Sequence, residues 1–409
     1  TEKCGFAPAM CANEGCGMVL NKKDKEIHEK ELCQFRITKC HDCKDIKENI
    51  EAIKKTQIEL KADQVMFKVE VQKQFQTVTD MLNELLQAHN DKSGVQATLG
   101  PTLATNPTGN NQDIIILGGR CGFRREDICN RAEKFNIAEG KSTKLPAMNK
   151  QREAPASCVY NGEVIVAGGH DGQDVHDTIE ILNTNQQPLQ WKILQRKLPL
   201  QLYSHTVTVY QDNMYVVGGY NRNENKTSDE IHELSLIPPY TAKLLVRMPQ
   251  TRRDHRTEIV DGRLFIFGGS TTWSNKDALD SVVVYDFITK EFTTCPPLPR
   301  PVCGMSTVTW GSTIIIIGGH DKNGRVLNDV IMYDTGTGRS GRLPSLKHKR
   351  YGHSAVIIDD VIVVLGGRNG EHEYLNSIES FTMEGDGWKE LSGMKERRAF
   401  ATAVGLPRI

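Results

Sequence analysis

From residue 113 onward the chain alternates short apolar runs with polar loops, and six of these runs end on a double glycine. Ile114–Leu117 (IIIL), Val164–Ala167 (VIVA), Met214–Val217 (MYVV), Leu264–Phe267 (LFIF), Ile314–Ile317 (IIII) and Val361–Leu365 (VIVVL) come just before Gly118-Gly119, Gly168-Gly169, Gly218-Gly219, Gly268-Gly269, Gly318-Gly319 and Gly366-Gly367. Apolar runs without polar interruption suit strands buried on both faces, and glycines at their ends permit another backbone to come close. The pairs recur at intervals of 50, 50, 50, 50 and 48 residues. After each pair comes a polar loop and another strand, clearest in Ser281–Asp286 (SVVVYD) and Asp329–Asp334 (DVIMYD). A further strand before a Leu-Pro or Met-Pro type of turn completes the unit. The pattern therefore predicts a unit of four short strands, repeated six times.

Upstream the period changes. Residues 44–90 are polar and free of Gly and Pro, and their apolar residues recur every seven positions. One seam position runs through Ile50, Gln57, Gln64, Val71, Val78 and Leu85, the other through Ile46, Ile53, Leu60, Phe67, Gln74, Met81 and Ala88. Ten of these 13 are apolar, which predicts a coiled coil and a homo-oligomer of two or three strands. The alternative is a single amphipathic helix packed on the rest of the chain. Residues 91–111 (DKSGVQATLGPTLATNPTGNN) read as a flexible linker.

Composition narrows the function classes. The 409 residues carry 51 Lys+Arg against 51 Asp+Glu. A net charge of zero argues against a dedicated nucleic-acid or membrane-surface protein. No apolar run approaches the roughly 18 residues of a membrane helix, and no signal peptide is evident. The start at Thr1 instead of Met fits a fragment or a processed product.

The 11 cysteines are placed unevenly. Six of them (Cys4, Cys11, Cys16, Cys33, Cys40, Cys43) fall within the first 43 residues, and five (Cys121, Cys129, Cys158, Cys295, Cys303) are scattered beyond. A front cluster of this kind points to metal ligation in a reducing, cytoplasmic compartment, not to a disulfide scaffold. Cys11-x4-Cys16-x11-His28-x4-Cys33 can surround Zn²⁺ tetrahedrally, with residues 24–31 of helix-forming composition carrying His28. So short a segment cannot bury a sufficient core, and metal binding would supply much of its folding free energy. With the following FRITKCHDC, these residues resemble a TRAF-type zinc finger over 1–43. In that family Cys-x2-Cys opens a second finger, as Cys40 and Cys43 do here. No further His/Cys pair follows closely, so the second motif either binds zinc with Cys4 and His41 or carries no metal.

The repeat resembles kelch over about 112–409, with the Gly-Gly pairs as its main signal. The family's Tyr-Asp is intact at Tyr285-Asp286 and Tyr333-Asp334, and its later Trp is present as Trp191 and Trp388. The resemblance implies an all-β six-bladed kelch β-propeller. RRAFATAVGL (Arg397–Leu406) aligns with RYGHSAVII (Arg350–Ile358), so the C-terminal strand is expected to complete blade one and remove an open sheet edge. Kelch proteins place partner-contacting side chains on one rim. Residues fifteen before the glycine pairs are Glu153, Tyr203, Arg253, Cys303 and Tyr351, and those just after the pairs are Arg120, His170, Tyr220, Ser270, His320 and Arg368. Trp273 is a further candidate anchor. Arg, Tyr and His on a concave rim suit a protein or peptide partner, and Arg120, Arg124, Arg125, Arg222, Arg253 and Arg368 hint that its contacting segment is acidic.

The order finger, coil, linker, propeller describes an adaptor. By resemblance it is the substrate-recognition and oligomerisation part of a RING-type E3 ubiquitin ligase, the RING itself not being in this chain. The alternative is a non-catalytic cytoskeletal, actin-binding or signalling scaffold. A propeller enzyme is the third reading. His205, His255 and His353 each stand 13 residues before a glycine pair, so repeat position alone explains their recurrence, and no nucleophile–base set or metal-ligand set stands out in the repeats.

Overall fold

The structure is a computed structural model and describes residues 8–10, 19–21 and 113–406. The heptad segment, the linker, and Cys4, Cys11, Cys16, His28, Cys33, Cys40, His41 and Cys43 lie outside the described residues. The chain divides into Thr1–Asn106 and Pro107–Ile409. In the first unit, Pro8–Met10 pairs antiparallel with Val19–Asn21, Met10 opposite Val19.

The second unit contains six antiparallel four-stranded sheets and one small three-stranded sheet. Blade two shows the plan. Its inner strand Ala156–Tyr160 pairs with Glu163–Ala167, then Thr178–Asn183, then the outer strand Trp191–Lys197. Blades three to six repeat it with inner strands Thr206–Tyr210, Arg256–Val260, Ser306–Trp310 and Ser354–Ile358. Blade one takes its inner strand, Thr402–Gly405, from the C-terminal end of the chain and pairs it with Asp113–Leu117, Val404 opposite Ile115. The six inner strands contact one another in cyclic order, so the sheets form a closed ring.

The core lies between the blades. Ile314 and Ile316 pack in the cluster between blades four and five, whereas Ile315 and Ile317 pack between blades five and six. Ile115 and Leu117 likewise face blade two, while Ile114 and Ile116 face blade six. Alternate side chains of one strand thus enter two different cores, which is why the runs contain no polar residue. Each buried isoleucine contributes about 1.5–3 kcal/mol.

The glycine pairs join successive blades. In every blade the N–H of the second glycine donates to a carbonyl of the next one: Gly119 to Arg152, Gly169 to Leu202, Gly219 to Arg252, Gly269 to Val302, Gly319 to Arg350 and Gly367 to Arg398, all at 2.8–2.9 Å. At Gly268 a Cβ would stand 2.5 Å from the Val302 carbonyl oxygen, and φ is +52°, so both the contact and the backbone exclude a side chain. Trp191 Nε1–H and Trp388 Nε1–H reach the carbonyls of Pro146 and Pro344 at 2.9 and 2.7 Å, and the Tyr333 hydroxyl reaches Pro296 at 2.9 Å. Each of these aromatic donors bonds to the preceding blade.

A second ring of hydrogen bonds surrounds the central channel. Ala154 N–H donates to Phe400, Phe400 to Gly352, Gly352 to Gly304, Gly304 to Asp254, Asp254 to Ser204 and Ser204 to Ala154, at 2.7–3.0 Å. All six residues have φ between +50° and +63°. That left-handed conformation is unfavourable for the four that are not glycine, and the closed ring of bonds holds it in place. Below this ring the inner strands of all six blades line a cavity of about 370 Å³, walled largely by hydroxyls such as Thr206, Thr257, Ser306, Thr307, Ser354 and Thr402.

Deleting residues 397–409 removes the inner strand of blade one, one of the six glycine-to-carbonyl bonds and Phe400 from the channel ring. We expect the truncated chain to lose its cooperative thermal transition and its near-ultraviolet circular dichroism. A truncated chain that melts like the full one would contradict closure through this strand.

Candidate functional site

The residues flanking the glycine pairs meet on one face of the ring. The backbones of Glu153 and His170, Arg253 and Ser270, Cys303 and His320, and Tyr351 and Arg368 form reciprocal hydrogen-bonded bridges, and Tyr203 pairs with Tyr220 between two short strands. The bridges bring the positions expected from the glycine spacing together in pairs, with Glu153, Arg253, Ser270, Cys303 and Tyr351 buried. Arg120 bridges to Ala399, which counting back from the first glycine pair cannot reach, because the ring supplies it from the other end of the chain. The alignment of Arg397–Leu406 with Arg350–Ile358 held the signal for it.

Two aromatic groups stand out. In the first, Arg253 lies over the Trp273 ring with its guanidinium carbon 3.3 Å from the centroid. Tyr203 and Tyr220 pack on the same indole at 5.6 and 5.2 Å, and His170 meets Tyr203 edge-on at 4.7 Å. Trp273 remains 54% exposed. The second group centres on Arg368, within 4.9 Å of the centroids of Phe123 and Tyr374 and 5.6 Å of Tyr351. Tyr351 is stacked by His320 at 3.7 Å and touches Phe400 at 5.8 Å. Phe123 is 70% exposed. Counting from the glycines misses Phe123 and Tyr374 because their loops differ in length, and misses Phe400 because no glycine pair follows it in the chain.

The rim arginines are not equally available. Arg120 is paired with Glu153 at 3.2 Å and donates to the carbonyls of Phe123 and Arg124. Arg253 pairs with Asp254 at 2.6 Å. Arg125 donates to Gln173, and Arg124 pairs loosely with Glu126 at 3.6 Å. The surface is thus less basic than its arginine count suggests.

A second set of arginines has an internal role. Arg152, Arg350 and Arg398 are buried and bind Glu180, Glu379 and Glu133 on the third strand of their own blade. Each also donates to the carbonyl of the first glycine of its blade, as Arg252 does to Gly268 without a glutamate. The glutamates accept loop N–H groups as well, from Asn149 and Lys150, Lys347 and His348, and Lys395. These networks fix the loops from which the rim residues project. His205, His255 and His353 pack their Cε1 against the first glycine of the neighbouring blade, where a Cβ would lie 2.5, 2.9 and 2.9 Å away. Their recurrence is a matter of blade packing. Among the described residues no group of three or more His, Cys, Asp and Glu could hold a metal, and all five cysteines are free.

Burial holds these histidines neutral. It pushes the pKa of His205 down to about 3 and those of His170 and His320 down to about 4, with the Arg120 charge adding to the effect at His170. His255 and His353 are lowered well below the usual value by the same desolvation. Burial raises Glu153 to about 6, against the opposing pull of Arg120.

Two family models match this unit. The KLHDC2/KLHL20/DRC7 Kelch-repeats domain matches residues 105–298, and the Attractin/LZTR1 beta-propeller matches residues 240–408. Spermatocyte protein spe-26 of Caenorhabditis elegans is 26% identical over 225 residues, covering 53% of this chain and 37% of its own length. Kelch-like protein 40 of Mus musculus is 25% identical over 159 residues, covering 38% and 24% respectively. The chain therefore spans well under half the length of these curated relatives. The solved structure of YjhT superposes with a TM-score of 0.55 at 17% identity, over 63% of this chain and 89% of that one, a likeness of fold. The unit is a β-propeller whose sequence is similar to kelch repeats.

The shifted groups make stability depend on pH. An unfolded histidine binds its proton near pH 6.5. Desolvation lowers the proton affinity of all five of these histidines in the folded chain, so the unfolded chain binds more protons and stability falls as pH drops below 6.5. Glu153 acts oppositely between the ordinary 4.5 and about 6, where the folded form takes up its proton first, and burial raises Glu258 as well; His176 is lowered like the other five histidines, so the histidines outnumber these carboxylates. Thermal midpoints should therefore decline steadily from pH 7 to pH 4.5. A profile flat over that range, or rising on acidification, would show that these histidines are not held neutral.

Proposed function

We propose that this chain is a protein-interaction adaptor whose propeller holds a protein or peptide partner on the face carrying Trp273, Phe123 and the rim arginines. The reading rests on one observation above all. All six blades send their loop residues to a single face, and these residues include exposed aromatics stacked with guanidinium groups, the side chains that dominate binding hot spots. The kelch-repeat relatives support the same reading. Internal Arg–Glu networks hold the rim loops in place, which lowers the entropy lost on binding.

The N-terminal sequence extends the proposal. A TRAF-type finger and a heptad segment ahead of a kelch propeller fit the substrate-recognition and oligomerisation part of a RING-type E3 ubiquitin ligase in the cytoplasm. Self-association through residues 44–90 would let weak single contacts act together. Capture by the tagged full chain from a cell lysate tests the partner site. Arg253→Ala with Tyr351→Ala should reduce capture about 30-fold, as loss of ~2 kcal/mol implies. Trp273→Ala, an exposed position, should weaken it without lowering the thermal midpoint. Undiminished capture by both variants would exclude this face. Recovery of actin with no ubiquitin transfer by the intact protein would replace the ligase reading with that of a cytoskeletal scaffold.

Zinc belongs to the same proposal. Cys11 and Cys16 fall, in sequence, between the paired residues Met10 and Val19, and their spacing fits a metal-binding knuckle. Cys11, Cys16, His28 and Cys33 would hold Zn²⁺ and thereby fold the segment. Metal analysis of the full chain should find at least one zinc per chain, lost in Cys11→Ser and in His28→Ala. Unchanged zinc in both would refute the ligand set.

A further inference from the structure

Blade four breaks the repeat where it lines the central channel. The inner-strand residue paired with the last residue before the glycine pair is Thr402, Ala156, Thr206, Ser306 or Ser354 in the other five blades. In blade four it is Arg256. Two positions on, where the other blades place Val, Cys or Thr, blade four carries Glu258. Residues two apart on a strand leave the same face, about 7 Å from one another, so these side chains enter the channel together. Among the residues lining its cavity of about 370 Å³ they are the charged ones, since burial holds His205 neutral.

A guanidinium offers five N–H donors. Arg256 uses one, from Nη1–H to the carbonyl of its neighbour His255 at 3.0 Å, and makes no ion pair within 4 Å among the described residues. Glu258 accepts the hydroxyls of Thr307 and Thr309, one on each oxygen, at 2.6 and 2.8 Å. Other hydroxyls of the wall are also donated within the protein: Ser306 to the His353 carbonyl, Ser354 to that of Ala401 and Thr257 to Thr206. What these side chains leave to a guest is lone pairs, and the side-chain N–H groups on offer are those of Arg256. Burial presses both charged groups toward their neutral forms, lowering the pKa of Arg256 and raising that of Glu258. A guest that brings negative charge to Arg256 and a hydrogen to Glu258 offsets both costs.

We infer that the channel binds a hydrogen-bearing oxyanion, free hydrogen phosphate, with its charged oxygens on Arg256 and its P–O–H donated to Glu258. The guanidinium fork matches two phosphate oxygens. Glu258 makes the site read the proton. Sulfate carries none near neutral pH, so its oxygens would meet those of Glu258 lone pair to lone pair. A phosphate monoester has lost most of its second proton at pH 7.5 and meets the same repulsion. The site lies in the channel, apart from the rim, and is independent of the protein-binding reading.

Titration calorimetry of the full chain at pH 7.5 compares phosphate, sulfate and glycerol phosphate. Phosphate should bind in preference to the other two by about tenfold or more, and should raise the thermal midpoint by linkage. Arg256→Gln should weaken phosphate binding about tenfold or more. Glu258→Gln, whose amide presents N–H groups beside its oxygen, should admit sulfate and erase most of the preference. Arg368→Gln, on the rim, should leave phosphate binding unchanged. A wild type that binds no phosphate at millimolar concentration, or binds sulfate or glycerol phosphate as tightly, overturns the inference. Undiminished binding in Arg256→Gln, or an undiminished preference in Glu258→Gln, at an unchanged thermal midpoint overturns it too, because the ion would then sit elsewhere. Should neither variant fold, the wild-type preference among the three anions decides.

Discussion

The N–H of the second glycine in each pair, donated to a carbonyl of the next blade, is the bond on which the rest of the propeller depends. It forms only because the first glycine has no side chain. At all six pairs a Cβ there would lie 2.4–2.6 Å from that carbonyl oxygen. Six such bonds set the spacing between sheets, and that spacing lets alternate residues of each apolar strand fill two separate cores. The inner ring through Ala154, Ser204, Asp254, Gly304, Gly352 and Phe400 follows from the same spacing, since its members lie one blade apart.

The face that carries the rim residues is a consequence of that ring. The strand that leads into each of blades two to six and the residue that follows its glycine pair are bridged at one end of the sheet, so residues 17 positions apart become neighbours. Buried Arg–Glu networks in blades one, two and six then fix the loops through their backbone N–H groups. A buried ion pair is a weak source of net stability, but breaking one leaves an uncompensated charge. Arg152, Arg350 and Arg398 thus act chiefly as locks on loop position. The loops that carry the exposed aromatics are held separately, that of Trp273 by Ser270 and Arg253 and that of Phe123 by Arg120, through hydrogen bonds to their carbonyls.

Arginine count proved a poor guide to charge on this face. Arg120, Arg253 and Arg368 read alike in the sequence as basic residues beside a glycine pair. In the fold the first two are neutralised by Glu153 and Asp254, and the third is caged by aromatic rings. Their partners come from other blades or from the next residue along the chain, and nothing in local spacing distinguishes the three cases.

By itself the sequence determined the six-fold repeat, the strand ahead of each Gly-Gly, the return of the C-terminal strand to blade one, and the rim positions at fixed offsets from the glycines. These are all periodic features, and periodicity survives projection onto one dimension. Only the tertiary structure decided that Ala399 completes the rim, that His205, His255 and His353 are packing residues, and which rim arginines are paired with a carboxylate. Those properties depend on what lies across a blade boundary, where neighbours in space are about 50 residues apart in the chain or, at the closure, nearly 300. Desolvation and pairing are set by those neighbours, so they appear only when the ring is closed.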